Sequence, residues 1–292
     1  MTEISKGNFM PNAILLISCP DKRGITATVT NFVFKNDGNI EHADQHIDKE
    51  TNTFFMRLEW SLEDFKVKIE KIMESFEPIA KDFGMHWQLY FTDEIPRMVI
   101  FVSKYLHCLY DLLLRCKSNQ LRCKIPLVIS NHPDAKDVVK GFGIDFFEFP
   151  ITPQNKLEQE ERQIKLVKES HADCVVLARY GQILTADFVN AYPNRVINIH
   201  HSFLPAFVGG QPYHQAFQKG VKIIGATSHY VSEELDEGPI IEQDTVRISH
   251  RDALNDLIIK GEDLERVVLS RAVRWHLERK ILVYNNKTVI FD

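Results

Sequence analysis

Cysteine is scarce in this chain of 292 residues: Cys19, Cys108, Cys116, Cys123 and Cys174 are odd in number and lack C-x-x-C spacing. That excludes a disulfide framework and a zinc knuckle, and it fits a reducing compartment. No apolar run approaches the ~20 residues needed to span a bilayer, so no membrane partner is expected. Lys and Arg form no block, and 40 acidic against 35 basic residues leave a net charge of −5. A nucleic-acid footprint is thereby disfavoured. With 13 Gly and 12 Pro the chain is neither fibrous nor low in complexity. The opening MTEISKGNFM lacks a basic segment followed by an apolar one, so a cytoplasmic location is the expectation.

What is present is an ordinary globular composition, 44% hydrophobic, in a length suited to about two domains. Residues 1–92 read as one unit. Ala13–Ser18 predicts a strand, and a turn at Cys19–Gly24 follows. Ile25, Val29, Phe32 and Val33 recur at helical spacing up to Asp37-Gly38. Asn39–Asp48 and Thr53–Trp60 predict a hairpin turning at Lys49–Asn52. Phe65, Ile69, Ile72, Met73 and Phe76 predict a second amphipathic helix, and Met85–Phe91 a last strand. The order βαββαβ is ferredoxin-like. Residues 93–96 are the expected linker.

Residues 97–292 change rhythm to an α/β pattern. Met98–Val102, Ile125–Ile129, Asp145–Phe149, Asp173–Leu177 and Val196–Ile199 are short apolar runs with helical stretches between, notably Tyr105–Leu114 and Leu157–Glu169. This predicts a mostly parallel, Rossmann-like sheet covered on both faces. A helix near Tyr213–Gln218, strands at Lys222–Val231 and Pro239–Ile248, a helix over Asp252–Glu278 and one final strand, Ile281–Phe291, complete the reading.

Within Val196-Ile197-Asn198-Ile199-His200 the period of two sends Asn198 and His200 to one face. They stand at the carboxyl end of a predicted parallel strand, where open α/β sheets place ligands. An amide N–H suits a developing oxyanion, and an imidazole donates a hydrogen bond or carries a proton near neutral pH. A bare N-x-H serves equally to end a strand. Asp236 lies between two predicted strands beside Gly238 and Pro239, a context that also suits an acidic turn.

Taken together, Asn198-Ile199-His200, Leu204-Pro205 and Asp236-Glu237-Gly238 resemble the formyltransferase fold of folate enzymes, over roughly two-thirds of the chain. The resemblance implies that Asn198 and His200 stabilise the oxygen of a tetrahedral intermediate at a formyl carbon. It implies that Asp236 tunes His200 and assists proton transfer through water. Cys19–Ile25, Asp44-Gln45-His46 and Phe54–Arg57 resemble an ACT domain. An ACT unit ahead of such a domain is similar to the formyltetrahydrofolate deformylase family, as are Ser103-Lys104, His107–Leu112, Pro126–His132 and the His201 that follows His200. The resemblance implies hydrolysis of 10-formyltetrahydrofolate to formate and tetrahydrofolate. That reaction supplies formate to purine synthesis and balances one-carbon folate pools, with folate as substrate and no permanently bound cofactor.

It further implies a folate pocket built from Arg179, Tyr180, Gly181, Gln182, Ile183 and Leu184, with His201, His229 and Gly238. The family usually carries Met at the position of Gly181. Asp21, Arg23, Gly24 and Ile25 would meet an amino-acid effector at an interface in a homo-oligomer. The spacing of His201, His214 and His229 matches no metal-ligand pattern, so no metal is expected. Glu158–Glu161 reads as a solvated helix face. Two alternatives stand beside the hydrolase: a glycinamide ribonucleotide formyltransferase and a non-catalytic sensor. Residues 101–109 contain no glycine to cradle a phosphate, which weighs against the first. The complete Asn198, His200 and Asp236 set weighs against the second.

Overall fold

The computed structural model describes residues 10–206 and 212–292. Gly209-Gly210-Gln211, a sequence of turn-forming residues after Leu204-Pro205, lies outside them. Two compact units result, one of residues up to 95 with 279–282 and 289–292, the other of 96–278 with 283–288. The boundary near 95–96 falls inside the expected linker. Residues 279–282 and 289–292, expected in the second domain, join the first unit. There Arg57 Nε donates to the Arg279 carbonyl at 3.0 Å, and the Arg279 guanidinium lies 4.2 Å over the Tyr90 ring.

The first unit follows the order β1 (Asn12–Pro20), α1 (Ile25–Lys35), β2 (Asn39–Asp48), β3 (Thr53–Ser61), α2 (Ile72–Phe83) and β4 (His86–Phe91). Its antiparallel sheet runs β2-β3-β1-β4. Ala13, Leu15, Ile17 and Cys19 alternate into a core with Phe54, Met56, Leu58 and Trp60, closed by Ile25, Val29, Ile72 and Phe76 from the helices. The second helix begins later than expected. Phe65 lies in the preceding turn, its ring 5.9 Å from Trp60 and 6.3 Å from Phe32, while Ile69 and Met73 are exposed. Phe65 is thus a core residue without being helical, and counting it pulled the apparent helix forward.

The second unit holds β5 (Met98–Val102), α3 (His107–Lys117), β6 (Leu127–Ser130), α4 (Lys136–Gly141), β7 (Asp145–Glu148), α5 (Lys156–Glu169), β8 (Cys174–Ala178), α6 (Ala186–Ala191) and β9 (Val196–His200). Then come α7 (Pro212–Lys219), β10 (Ile223–Tyr230), β11 (Ile240–Arg247) and α8 (Leu254–Leu277). The sheet order is β11-β10-β9-β8-β5-β6-β7. β5 to β9 pair in parallel, and β10 runs antiparallel to both β9 and β11. Every residue of β5 and β8 is buried, as expected of strands covered on both faces. Strand order reverses between β5 and β8, which opens a crevice at their carboxyl ends. Among the described residues no helix is long and apolar enough to cross a membrane.

The expected single last strand is a hairpin of β12 (Ile281–Tyr284) and β13 (Lys287–Ile290). Asn285 and Asn286 both take left-handed φ, 41° and 58°, the requirement of a tight two-residue turn.

Candidate active site

Strand pairing assembles the polar centre. Asn198 and His200 share one face of β9, and the antiparallel register sets His229 of β10 directly opposite Asn198. The Asn198 amide donates from Nδ2 to His229 Nε2 at 3.2 Å. His229 in turn donates from Nδ1 to the Tyr230 carbonyl at 2.9 Å, which leaves Nε2 with a lone pair to accept that bond. Ser228 Oγ donates to the Asn198 carbonyl at 2.9 Å and fixes the strand end.

Asp236 reaches this centre from the loop between β10 and β11. Its Oδ2 lies 3.2 Å from His200 Nδ1, and its Oδ1 lies 3.6 Å from His229 Nε2. Burial alone would raise the Asp236 carboxyl, but the hydrogen bond from His200, with the His229 imidazole close by, outweighs it. The group is held well below the usual carboxylate range. With Nδ1–H of His200 committed to Asp236, the other ring nitrogen is the reactive one. That Nε2 is buried and has no hydrogen-bond partner among the described residues.

The loop geometry accounts for the D-x-G pattern. Asp236 itself takes left-handed φ, 57°, which Asp tolerates better than most residues. At Gly238 a Cβ would overlap the Tyr230 carbonyl oxygen, so no side chain fits. Asn286 in the terminal turn braces the same loop, its Nδ2 donating to the Glu237 carbonyl at 2.8 Å. Gly238, expected to touch substrate, is buried under Tyr230 and does not line the cavity. Its part is to let the Asp236 loop pass.

A cavity of about 550 Å³ opens beside this centre. It takes Ser103, Lys104 and Tyr105 from the end of β5, Asn131 and His132 from the end of β6, and residues 179–184 after β8. Asn198, His200, His201, His229 and Asp236 complete the chemical side. Ser103 spans the crevice, donating from Oγ to Asn131 Oδ1 at 2.6 Å and accepting from Gly181 N–H at 2.9 Å. A Cβ on Gly181 would meet only that Oγ, at an ordinary 3.6 Å, and its φ is not left-handed. The local backbone therefore imposes no glycine there.

Distant residues hold the rest of the wall. Tyr180 is buried, with its ring 5.2 Å from Phe101 and its hydroxyl accepting from Gln163 Nε2 at 3.2 Å; burial pushes the phenol up to about 12. Arg179 has left-handed φ, 63°, and lies 5.2 Å over the Tyr105 ring. Its Nε pairs at 3.3 Å with Glu265, a wholly buried carboxylate of α8. The same carboxylate accepts from Tyr213 at 2.6 Å and contacts His107 Nε2 at 2.8 Å. A Cβ on Gly261 would overlap the Tyr213 phenol, so this glycine clears the approach to Glu265. Burial would raise Glu265, but His107 and Arg179 outweigh it and hold the carboxyl down. His107, Cys108 and Glu265 bring possible ligand atoms within 4.8 Å among the described residues. Glu265 is already engaged there by Arg179 and Tyr213, and burial pushes the Cys108 thiol well up.

Glu160 corrects the expectation of a solvated acidic face. It is only 4% exposed, and its carboxylate accepts from Thr185 N–H at 2.7 Å and from the Thr185 hydroxyl, anchoring residues 179–185. His201 follows His200, its ring 6.0 Å from Tyr213; burial, with Arg179 nearby, pulls it down to about 3 and keeps it neutral near pH 7. His214 is exposed. Of the candidate effector residues, Gly24 takes left-handed φ, 92°, at the head of α1, and Asp21 and Arg23 are accessible to different degrees. Ile25 contributes its side chain to the core, which leaves only its backbone for a ligand. Ser103, His107 and Asn131 lie in segments that carried the family resemblance without marking a role for them, and Tyr213, Glu160 and Glu265 carried no signal as pocket supports, because each acts through partners far away in the chain.

Known proteins fit this geometry. Residues 96–273 match the formyl transferase family model, and residues 13–77 match the ACT domain. The formyltetrahydrofolate deformylase of Synechocystis sp. is 56% identical over 96% of this chain and 98% of its own length, and that of Bacillus subtilis is 46% identical over 95% and 93%. The crystal structure of a formyltetrahydrofolate deformylase from Pseudomonas syringae superposes with a TM-score of 0.95 at 46% identity, covering 99% of this chain and 96% of that one. A glycinamide ribonucleotide transformylase from Symbiobacterium toebii matches 70% of this chain and 98% of its own, with a TM-score of 0.65 at 28% identity. With both domains matched and relatives alike along nearly the whole length, the chain belongs to the formyltetrahydrofolate deformylase family.

Proposed function

We propose that the chain hydrolyses 10-formyltetrahydrofolate, with His200 moving the proton, Asn198 meeting the oxyanion and Asp236 fixing the imidazole. The observation that carries this reading is the asymmetry of His200. Nδ1 is tied to an ionised carboxylate, while Nε2 has no partner among the described residues on a ring that lines the cavity.

In this scheme a water oxygen attacks the formyl carbon while Nε2 of His200 takes one of its protons. The C–O bond that forms turns the formyl oxygen into an oxyanion, which accepts from Asn198 Nδ2–H. The imidazolium, stabilised by Asp236, then gives its proton to N10 as the C–N10 bond breaks. Formate and tetrahydrofolate leave. His229 sets the plane of the Asn198 amide through the 3.2 Å bond. Arg179–Leu184 form the folate wall, and the folate is the substrate throughout.

Water rather than a phosphorylated amine is favoured as acceptor. After β5 the crevice is bridged by Ser103 and Asn131 side chains, and no glycine occurs over residues 101–109. The test supplies purified chain with 10-formyltetrahydrofolate, with and without glycinamide ribonucleotide. Equal formate release in both is expected. Tetrahydrofolate formed only with the ribonucleotide, without formate, would revive the transferase.

The ACT domain suits a small effector. We assign it an amino acid at the Asp21–Gly24 turn, where the first N–H groups of α1 favour a carboxylate, at an interface within a homo-oligomer in the cytoplasm. Titrating amino acids against formate release is the check, and no response to any of them would remove the sensor role.

A further inference from the structure

The segment Arg115–Lys124 contains the triplet Arg-Cys-Lys twice, with four residues between, so each thiol sits between two cations in sequence. Cys116 lies in the last turn of α3 and Cys123 in the connection to β6, and their Sγ atoms stand 3.2 Å apart. The turn that joins them is well determined. Asn119 adopts left-handed φ, 59°, and donates from its N–H to the Cys116 carbonyl at 3.1 Å. Gln120 and Leu121 both donate to the Arg115 carbonyl, at 2.8 and 3.2 Å, and Leu121 is buried. Lys124 N–H bonds the Pro96 carbonyl at 2.8 Å, pinning the far end.

The two thiols differ from the other three. Cys19, Cys108 and Cys174 are buried, whereas Cys116 and Cys123 are partly accessible. Cys116, with Leu113, Lys117, Ile125, Phe142 and Ile144, lines a cavity of about 240 Å³. The two thiols share one S–H···S hydrogen bond, which draws the Cys116 thiol down against the opposing effect of burial and, with burial, pushes Cys123 up. A thiolate-prone, accessible cysteine beside a protonated partner is the arrangement of an attacking and a resolving thiol.

We infer that Cys116 and Cys123 are a reversible two-electron oxidation site, closing to a disulfide when a hydroperoxide enters the cavity beside Cys116. The Cys116 thiolate attacks one oxygen of hydrogen peroxide; the S–O bond forms, the O–O bond breaks, and hydroxide leaves to be protonated. Cys123 then attacks the Cys116 sulfur, the S–S bond forms, the S–O bond breaks, and water leaves. Two thiols lose two electrons and two protons, and one peroxide becomes two waters. A dithiol reductant reverses the reaction by exchange.

The test uses the full chain, fully reduced, then exposed to hydrogen peroxide, quenched, denatured and treated with iodoacetamide. The expected result is an intact mass lower by two hydrogens and three alkylated thiols in place of five, with five recovered after dithiothreitol. Chymotryptic cleavage after Leu121, between the two thiols, maps the link to Cys116 and Cys123. In the Cys123→Ser variant no link forms, and dimedone labels Cys116 as the trapped sulfenic acid. Five alkylatable thiols after excess peroxide, a link between any other pair, or a Cys123→Ser protein that dimedone does not label would each overturn the assignment.

Discussion

The cavity has two walls made in different ways. The chemical wall is β9, β10 and the Asp236 loop, where strand register alone sets Asn198 against His229 and a single glycine lets Asp236 arrive. The folate wall, residues 179–184, has no such local frame. It is held from outside by Glu265 on Arg179, Gln163 on Tyr180, Glu160 on Thr185 and Ser103 on Gly181. One wall is built by pairing of neighbours and the other by buried polar groups drawn from three separate segments, α5, α8 and the end of β5. Changes on the first should strike turnover, and changes on the supports of the second should strike stability and substrate affinity.

The largest effect on turnover is expected at His200. His200→Ala should lower kcat by at least ~100–1,000-fold while the unfolding midpoint and folate binding stay close to wild type. Steady-state kinetics alongside chemical denaturation check this, and a folded variant with near wild-type rate would remove His200 from the mechanism. Asn198→Ala and Asp236→Ala should follow in the same direction with KM little changed. Gly238→Ala should imitate them indirectly, since the added methyl meets the Tyr230 carbonyl and displaces the Asp236 loop.

Glu265→Gln probes the other wall. It leaves the half-buried Arg179 without its counter-charge, and breaking a fully buried pair costs about 3–5 kcal/mol, an upper bound here. Denaturant unfolding should show that loss, and kinetics should show KM rising more than kcat falls. The reverse split would place Glu265 on the chemical side.

His201 offers a pH-dependent reading of the same boundary. Its folded pKa, about 3, lies below the ordinary 6.5, so between these values the unfolded chain binds a proton that the folded chain refuses. Stability should therefore fall as pH drops from about 6.5 towards 3, and His201→Gln should flatten that portion of the curve. Asp236 acts with the same sign through its depressed pKa and is lost only at still lower pH, so the difference between wild type and variant isolates His201.

The smallest effect is expected at Gly181. Gly181→Ala places a methyl at ordinary distance from Ser103 and should change kcat and KM by no more than about twofold, the scale of a mutation outside any strained or packed feature. A large loss would mean that the wall uses the missing side chain's space for substrate.

The contrast between the walls also explains what could be read in advance. The shared face of Asn198 and His200 was legible because a period of two needs only five residues, and the turn around Asp236 because its chemistry is written beside it; their joint role came from the family resemblance. The βαββαβ order of the first unit and the alternation of strand and helix in the second followed from similarly local rhythm, whereas the lateral strand orders and the return of residues 279–282 and 289–292 to the first unit did not. Glu160 looked solvated because its acidic neighbours are, and only the fold brings Thr185 to it. Glu265 is hidden inside a long amphipathic helix, 86 positions from Arg179 by subtraction of their numbers. Phe65 misled by filling a core position from a turn. Asn285-Asn286 did carry a hairpin signal, since Asn tolerates left-handed φ, but an apolar stretch on either side masked it.

Hydrolysis at this site requires water to attack the formyl carbon beside His200. The most direct measurement is to run the reaction in water enriched in oxygen-18 and weigh the formate released, with His200→Ala as the comparison. One labelled oxygen per formate from the wild-type chain, and none above background from the variant, is the predicted result. Unlabelled formate from the wild type, or equal labelled yields from both, would contradict it.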